Sequence, residues 1–264
     1  MTDVDAVILD IDGGAMLQAS VDALLRQSHK PRRVIVYDNG SRTPVAARLS
    51  GDVAIVRSET NRGFAGGNNE AIRQTSAPLV ALVNNDVDVD VDWLATLVEA
   101  FDGDPKLAAA QTLIRRSDGR MDGAGIDISD GTIRQIGHGM PLDAAPPPAW
   151  GVSATAAVYR RTAIGDDPFD VRFFAYYEDV ELCARLHEAG WTTRVLPLAK
   201  ATHRGSQSAS ILGRQALRLR TRNRYLVARM HPGVGRVGAL LWEDVKLALR
   251  GRSSMVGVWQ GLVT

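Results

Sequence analysis

The chain has 264 residues, 45% hydrophobic and 23% charged, enough for one large core or a core with an appendage. Its single cysteine, Cys183, excludes an internal disulfide; acids at Asp3 and Asp5 stand where a secretion signal carries bases, and no apolar run reaches the roughly 20 residues of a spanning helix, so a cytoplasmic protein is expected. The net charge of +1 conceals a division: from Arg204 onward 11 bases face only Glu243 and Asp244, near +9, which leaves 20 bases and 28 acids in residues 1–203, near −8.

In chain order, AVILDI (6–11), VIVYD (34–38), VAIVRS (53–58) and LVALVNND (79–86) read as strands. Between them MLQASVDALLRQ (16–27), TPVAARL (43–49) and AGGNNEAIRQTS (65–76) read as helices, and VDWLATLVEAF (91–101) follows as another. This βαβα rhythm predicts an α/β fold with a mostly parallel, doubly wound sheet. Ligands gather at the carboxyl ends of such strands, where YDNGS, NRGFAGGNN and NNDVD lie. After Pro105, LAAAQTLIRR (107–116) reads as a strand, APPPAW (145–150) as irregular, and WGVSATAAVYRR (150–161) as a strand beside a ligand. YYEDVELCARLHEAG (176–190) reads as a helix with Leu182, Leu186 and Ala189 on one face and Gly190 as its stop; TTRVLPLA (192–199) is a last strand. Two basic amphipathic helices, roughly 212–230 and 236–250, end the reading, separated by His231-Pro232-Gly233. The expected division is a domain over 1–208 and a basic helical extension over 209–264 packed on it.

The opening strand runs into Asp10-Ile11-Asp12-Gly13, which resembles the nucleophile motif of haloacid-dehalogenase phosphatases, and Gly165-Asp166 with Asp170 resembles their magnesium pair. Gly14 stands where that family has Thr, its lysine has no counterpart, and Gly165-Asp166 follows the polar RRTAI rather than a buried strand. That reading also leaves three polar strand ends without a purpose. Asp38-Asn39, Asn61-Arg62-Gly63 and Asn84-Asn85-Asp86 end neighbouring strands, so they present amides and carboxylates to one crevice suited to a nucleotide. Gly63, Gly66 and Gly67 let a ligand approach the backbone. Asp86 is the candidate ligand for a hard cation, Mg²⁺ or Mn²⁺, whereas Asp88, Asp90 and Asp92 suit a solvated loop and a helix cap.

The ordered set DNGS, NRGFAGGNNEAIR, LVNNDVDVDVDWL, FFAYYEDVELCARLHEAGW and His203 resembles the family-2 glycosyltransferases of the GT-A fold, over residues 6–208. The resemblance implies an inverting transfer from a nucleoside-diphosphate sugar to a hydroxyl. Asp38 would contact the nucleoside with Asn61 and Arg62 nearby, and Asn84-Asn85-Asp86 would take the place of the family's Asp-x-Asp element, although only Asp86 keeps a carboxylate. His203 falls where some members add an imidazole to the cation, and Asp179 matches the general base, with Glu178 as its helper or in exchanged roles. Trp150 and Gly151 are candidate contacts for sugar rings. Relatives with a similar NRGFAGGNN stretch point to dTDP- or UDP-sugars and to bacterial surface polysaccharides. The acceptor is expected to be a glycan or a lipid-diphosphate-linked molecule. The basic tail suits an anionic membrane surface at the inner face of the plasma membrane, and nucleic acid is not expected because no recognition module accompanies the arginines. A non-catalytic nucleotide- or glycan-binding module is the remaining alternative.

Overall fold

The computed structural model describes residues 1–47, 49–205, 212–249 and 253–263. The chain runs β1 (Val4–Asp10), α1 (Gly14–Leu25), β2 (Arg33–Asn39), β3 (Ala54–Ser58), α2 (Gly63–Ile72), β4 (Leu79–Asn84), β5 (Val87–Val89), α3 (Trp93–Gly103) and β6 (Leu107–Arg116). It continues through β7 (Met121–Gly123), β8 (Ile126–Asp127), β9 (Arg134–Gln135), β10 (Ala156–Arg160), the turn-length α4 (Arg161–Ile164), α5 (Glu178–Glu188) and β11 (Thr192–His203). Three helices end it: α6 (Arg214–Met230), α7 (Val237–Ala248) and α8 (Met255–Val263).

Nine strands form one sheet in the order β3-β2-β1-β4-β10-β6-β11-β5, with β7 on β6. β3, β2, β1, β4, β6 and β11 share one direction, while β10, β5 and β7 run against it. The expected mostly parallel sheet is therefore present, with antiparallel β10 inserted at its centre. The first strands read as nearly continuous apolar runs because both sheet faces are covered. Their side chains divide with the two-residue strand period. Val4, Ala6 and Ile8 join Leu17, Val21 and Leu97 on one face, whereas Val7, Ile35 and Tyr37 join Ile72, Leu182 and Leu186 on the other.

Several expectations change. TPVAARL makes only a short helical turn at Val45–Ala47; Pro44 and the Gly51-Asp52 turn leave too little chain for a helix. The strand expected over 150–161 is confined to Ala156–Arg160. Ala189 caps α5 and is exposed, so Leu182 and Leu186 alone bury that face. β5 was not legible, because its alternating Val-Asp pattern is three residues long. β11 runs on to His203, across an irregularity between Leu196 and Lys200. The expected boundary at 208/209 and the end of the 236–250 helix at residue 250 lie outside the described residues. Beyond them, α6 contributes Leu226 and Val227 to a core shared with Phe173, Val180 and Ala184.

Candidate active site

β1, β2 and β4 end side by side, Asp10 opposite Asp38 and Leu9 opposite Asn84. Beyond this carboxyl edge lies a cleft of about 620 Å³. Asn84, Asp86 and His203 line it, and so do Glu178 and Asp179. Sequence positions 84, 86, 178, 179 and 203 thus converge on one cavity.

The acidic pair opens α5, where the helix dipole favours negative charge. Asp179 accepts hydrogen bonds from the backbone N–H of Ala154 at 3.2 Å and of Val180 at 2.9 Å. Burial raises its pKa above the ordinary value, against the lowering effect of those two donors. Glu178 is 5% exposed. Burial first, and then the adjacent Asp179 charge, push its pKa well above the usual range. The two carboxyls titrate as a pair, and the proton belongs on Glu178, which lacks the donors that Asp179 has. Asp179 is the member equipped to stay ionised.

At the opposite wall β5 pairs with β11, with His203 opposite Val87, which draws the imidazole to the preceding residue, Asp86. His203 Nε2 lies 3.1 Å from Asp86 Oδ2, and Nδ1 lies 2.8 Å from Asp122 Oδ2. Burial opposes charge on this ring, yet the hydrogen bonds to Asp122 and Asp86 prevail and push its pKa up to about 9. Asp122 is half-buried, which opposes its charge, but its bond to His203 brings its pKa below the ordinary value. A carboxylate oxygen beside an imidazole nitrogen fits a divalent cation of the Mg²⁺ or Mn²⁺ kind. Among the described residues no three or more His, Cys, Asp or Glu form a complete cage, so such a cation would draw further oxygens from its ligand.

The residues expected to meet a nucleotide, Asn84 excepted, do not line this cleft and hold one another. Asp38 is wholly buried; it accepts from Ser41 N–H at 2.9 Å and Val45 N–H at 3.0 Å and pairs with Arg57. Its burial alone would raise the pKa, but these donors hold it below the usual value. Asn39 donates to Asn61 Oδ1 and to the Gly63 carbonyl, both at 3.1 Å, and accepts from Arg62 N–H at 2.9 Å. Asn61 and Arg62 are exposed, and Asn85 turns inward to donate to Asp10 at 2.7 Å. Gly66 sits one turn into α2, where an added Cβ would come within 3.2 Å of the Arg62 Cβ.

Gly63 has φ of +72°, and a Cβ on it would stand 2.4 Å from the Phe174 carbonyl oxygen. The same carbonyl accepts from Ala65 N–H at 3.1 Å, so α2 is braced against the segment leading to Glu178. Gly63→Ala is expected to cost about 1–3 kcal/mol in a denaturant titration. Asn at 63, which tolerates positive φ, should not recover it, because its Cβ meets the same oxygen.

Two sequence readings are corrected. Trp150 and Gly151 do not line the cleft. Trp150 packs into two cores, edge-on to His187 with ring centroids 4.9 Å apart. Gly151 bridges to Ile126, where an added Cβ would come within 3.2 Å of Cys183 of α5. The phosphatase reading fails as well. Asp10 is fully buried under Asn85 and does not line the cleft, Asp12 pairs with Arg42, and Asp166 pairs with Arg161 at the surface.

Residues that sequence reasoning missed complete the site. Asp122 comes from β7, a three-residue strand without apolar periodicity. Arg220 of α6 lines the cleft and stacks on Tyr176 at 4.4 Å. Asn223, wholly buried on α6, donates to the carbonyls of Phe173 and Ala175 at 2.9 Å and of Tyr176 at 2.7 Å. That segment holds Phe174, Tyr176 and Tyr177 at φ of 62°, 73° and 72°. Side-chain residues rarely accept such values unless their surroundings enforce them. A lone Asn in an Arg-rich helix offered only a weak sign of this role.

The sheet, its inserted antiparallel strand and the cleft at the carboxyl edge define the GT-A glycosyltransferase fold. Among solved structures, GalNAc-T7 with UDP, GalNAc and Mn²⁺ superposes with a TM-score of 0.64 at 14% identity, over 98% of this chain and 54% of that one. The mannosyltransferase PcManGT from Pyrobaculum calidifontis, in complex with GDP-Man and Mn²⁺, gives 0.62 at 15% identity, over 98% and 80%. This chain thus spans about half the length of the first of these and most of the second. By sequence, the chain belongs to glycosyl transferase family 2, whose profile matches residues 12–166. The N-acetylglucosaminyl-diphospho-decaprenol L-rhamnosyltransferase of Mycobacterium tuberculosis is 28% identical over 240 residues, 79% of this chain and 78% of the relative. The pre-mycofactocin glycosyltransferase of the same organism is 29% identical over 177 residues, 65% and 37%. The protein is a glycosyltransferase.

Proposed function

We propose that this glycosyltransferase moves a hexose from a nucleoside-diphosphate sugar to a hydroxyl of a glycan or lipid-diphosphate-linked acceptor, with inversion and cation assistance, in cell-surface polysaccharide synthesis. The observation that carries this reading is that Asp179 and the Asp86–His203 pair line one cleft. The rhamnosyl transfer to a diphospho-decaprenol named for the mycobacterial relative supports a lipid-diphosphate acceptor, and a dTDP- or UDP-sugar is the proposed donor. The reaction then takes place at the cytoplasmic side of the membrane.

In this reading the acceptor hydroxyl meets Asp179, whose ionised carboxylate takes its proton as the oxygen bonds to the anomeric carbon. Glu178 keeps its proton and leaves Asp179 the charge. Asn84 faces the sugar or ribose. Asn61 and Arg62 reach the nucleotide directly, while Asp38, Asn39, Gly63, Gly66 and Asn85 shape the loops that receive it. Asp86 and His203 would hold Mg²⁺ or Mn²⁺, which when bound neutralises charge on a departing diphosphate. Asp122 fixes the imidazole through Nδ1, so that Nε2 is the nitrogen directed at Asp86.

Thermal shift with dTDP, UDP and GDP, each with Mn²⁺ or Mg²⁺, tests the donor side. One nucleotide should raise Tm selectively, since ligand at a hundredfold excess over Kd adds about 2.7 kcal/mol. Asp86→Asn should retain the fold and lose the cation-dependent part of that shift. No response to any nucleotide with either cation would end the reading.

A further inference from the structure

Among the described residues, nine of the fourteen large apolar side chains left exposed fall within residues 241–263. On α7, Leu241, Trp242 and Val245 share one outward face; on α8, Val256, Trp259 and Val263 do. Opposite these faces, Leu240 and Val258 are buried against Tyr225 and Ala228 of α6. Each helix is thus packed on one side and apolar on the other, and neither meets the length and hydropathy of a membrane-spanning helix. So many exposed large apolar side chains within one short stretch are uncommon on a monomer unless something covers them.

The surrounding charge says what covers it. The only acids after residue 203 both turn inward: Asp244 binds Arg224, Tyr225 at 2.6 Å and Ser253, and Glu243 lies 3.4 Å from Arg224 and 3.6 Å from Arg134. Lys246 stays at the surface, its ammonium 4.7 Å from the Trp242 ring centroid. Exposed tryptophans on amphipathic helices, one of them beside a lysine, match the boundary between anionic headgroups and acyl chains. A second copy placed on this face would bring two tails of about +9 together. The acidic body, near −8, is repelled by the same surface, and so the tail leads.

We infer that α7 and α8 form a docking surface for an anionic lipid bilayer, inserted through Trp242 and Trp259. α8 lies on α6 through Gly257 and Gly261, where an added Cβ would meet the Arg218 and Arg222 carbonyls at 2.7 and 2.5 Å. Arg220 and Asn223 leave the other side of the same helix toward the cleft and its loop. The bilayer contact and the cleft are therefore separated by α8 and α6, two packed helices. This deepens the lipid-linked acceptor of the proposed function, and is tested without it.

Flotation of the full chain with vesicles of equal phosphatidylglycerol and phosphatidylcholine should recover the protein in the lipid fraction, and vesicles of phosphatidylcholine alone should recover far less. Trp242→Ser with Trp259→Ser should reduce anionic-vesicle binding about tenfold or more, while the nucleotide-dependent thermal shift stays as in the parent chain. Equal flotation of parent and double variant, no flotation of the parent, or a stable dimer that the double variant dissociates would each overturn the inference. A failed nucleotide shift with intact, Trp-dependent flotation would instead reject the donor reading and leave the docking surface standing.

Discussion

Asp179→Asn is expected to lower kcat about 10²- to 10⁴-fold and to leave the nucleotide-dependent thermal shift intact. The amide retains the shape of the carboxylate, and its single oxygen can keep one of the two bonds that Ala154 and Val180 make to different carboxylate oxygens, so a modest loss of stability with the fold retained is expected. What it loses is the ability to take a proton. The pH profile gives the sign independently. A base works ionised, so kcat rises as pH rises through the apparent pKa of the pair. Burial raises both members, and the charge of Asp179 raises Glu178 further. The acid limb should therefore lie above the range of ordinary carboxylates. Glu178→Gln, isosteric with the protonated acid, should leave substantial activity with the acid limb little moved, because burial raises Asp179 with or without it. An inactive Glu178→Gln beside an active Asp179→Asn would exchange the two roles.

Asn223→Ala should do nearly as much damage from a residue that touches no substrate. Its amide has two hydrogens for three carbonyls, those of Phe173, Ala175 and Tyr176. Removing it strands buried acceptors at about 1–3 kcal/mol each. It also releases a segment whose three positive φ values cost about 1–3 kcal/mol apiece unless held. The expected stability loss is about 2–5 kcal/mol by chemical denaturation. At low temperature, where the variant is folded, kcat should fall about 10²-fold, as for a catalytic group moved by an ångström, with donor KM little changed. Asn223→Asp should not restore activity, since a carboxylate cannot donate; if it does, the amide is not what shapes the loop.

The residues of α5 show how far local chemistry reaches: acids in its first turn, an apolar face at Leu182 and Leu186 and a glycine stop are properties of neighbouring positions. The same holds for β1 and β2, whose apolar runs specify burial wherever they pair. Ordered polar strand ends likewise marked the sheet edge where the cleft lies, because a strand's direction fixes which end bears the loop. The partners across the chain could not be read this way. His203 meets Asp86 only because β11 continues past an irregularity and pairs with the three residues of β5, and no local pattern encodes that register. Asp122 and Asn223 are ordinary polar residues until the fold buries them against His203 and the 173–177 loop. Trp150 looked like a sugar platform by chemistry but lies outside the cleft, half-buried against two cores. Periodicity and turn chemistry are short-range and survive in the sequence alone; burial, pKa and a hydrogen bond between residues 50 positions apart belong to the folded chain, because long-range packing creates them.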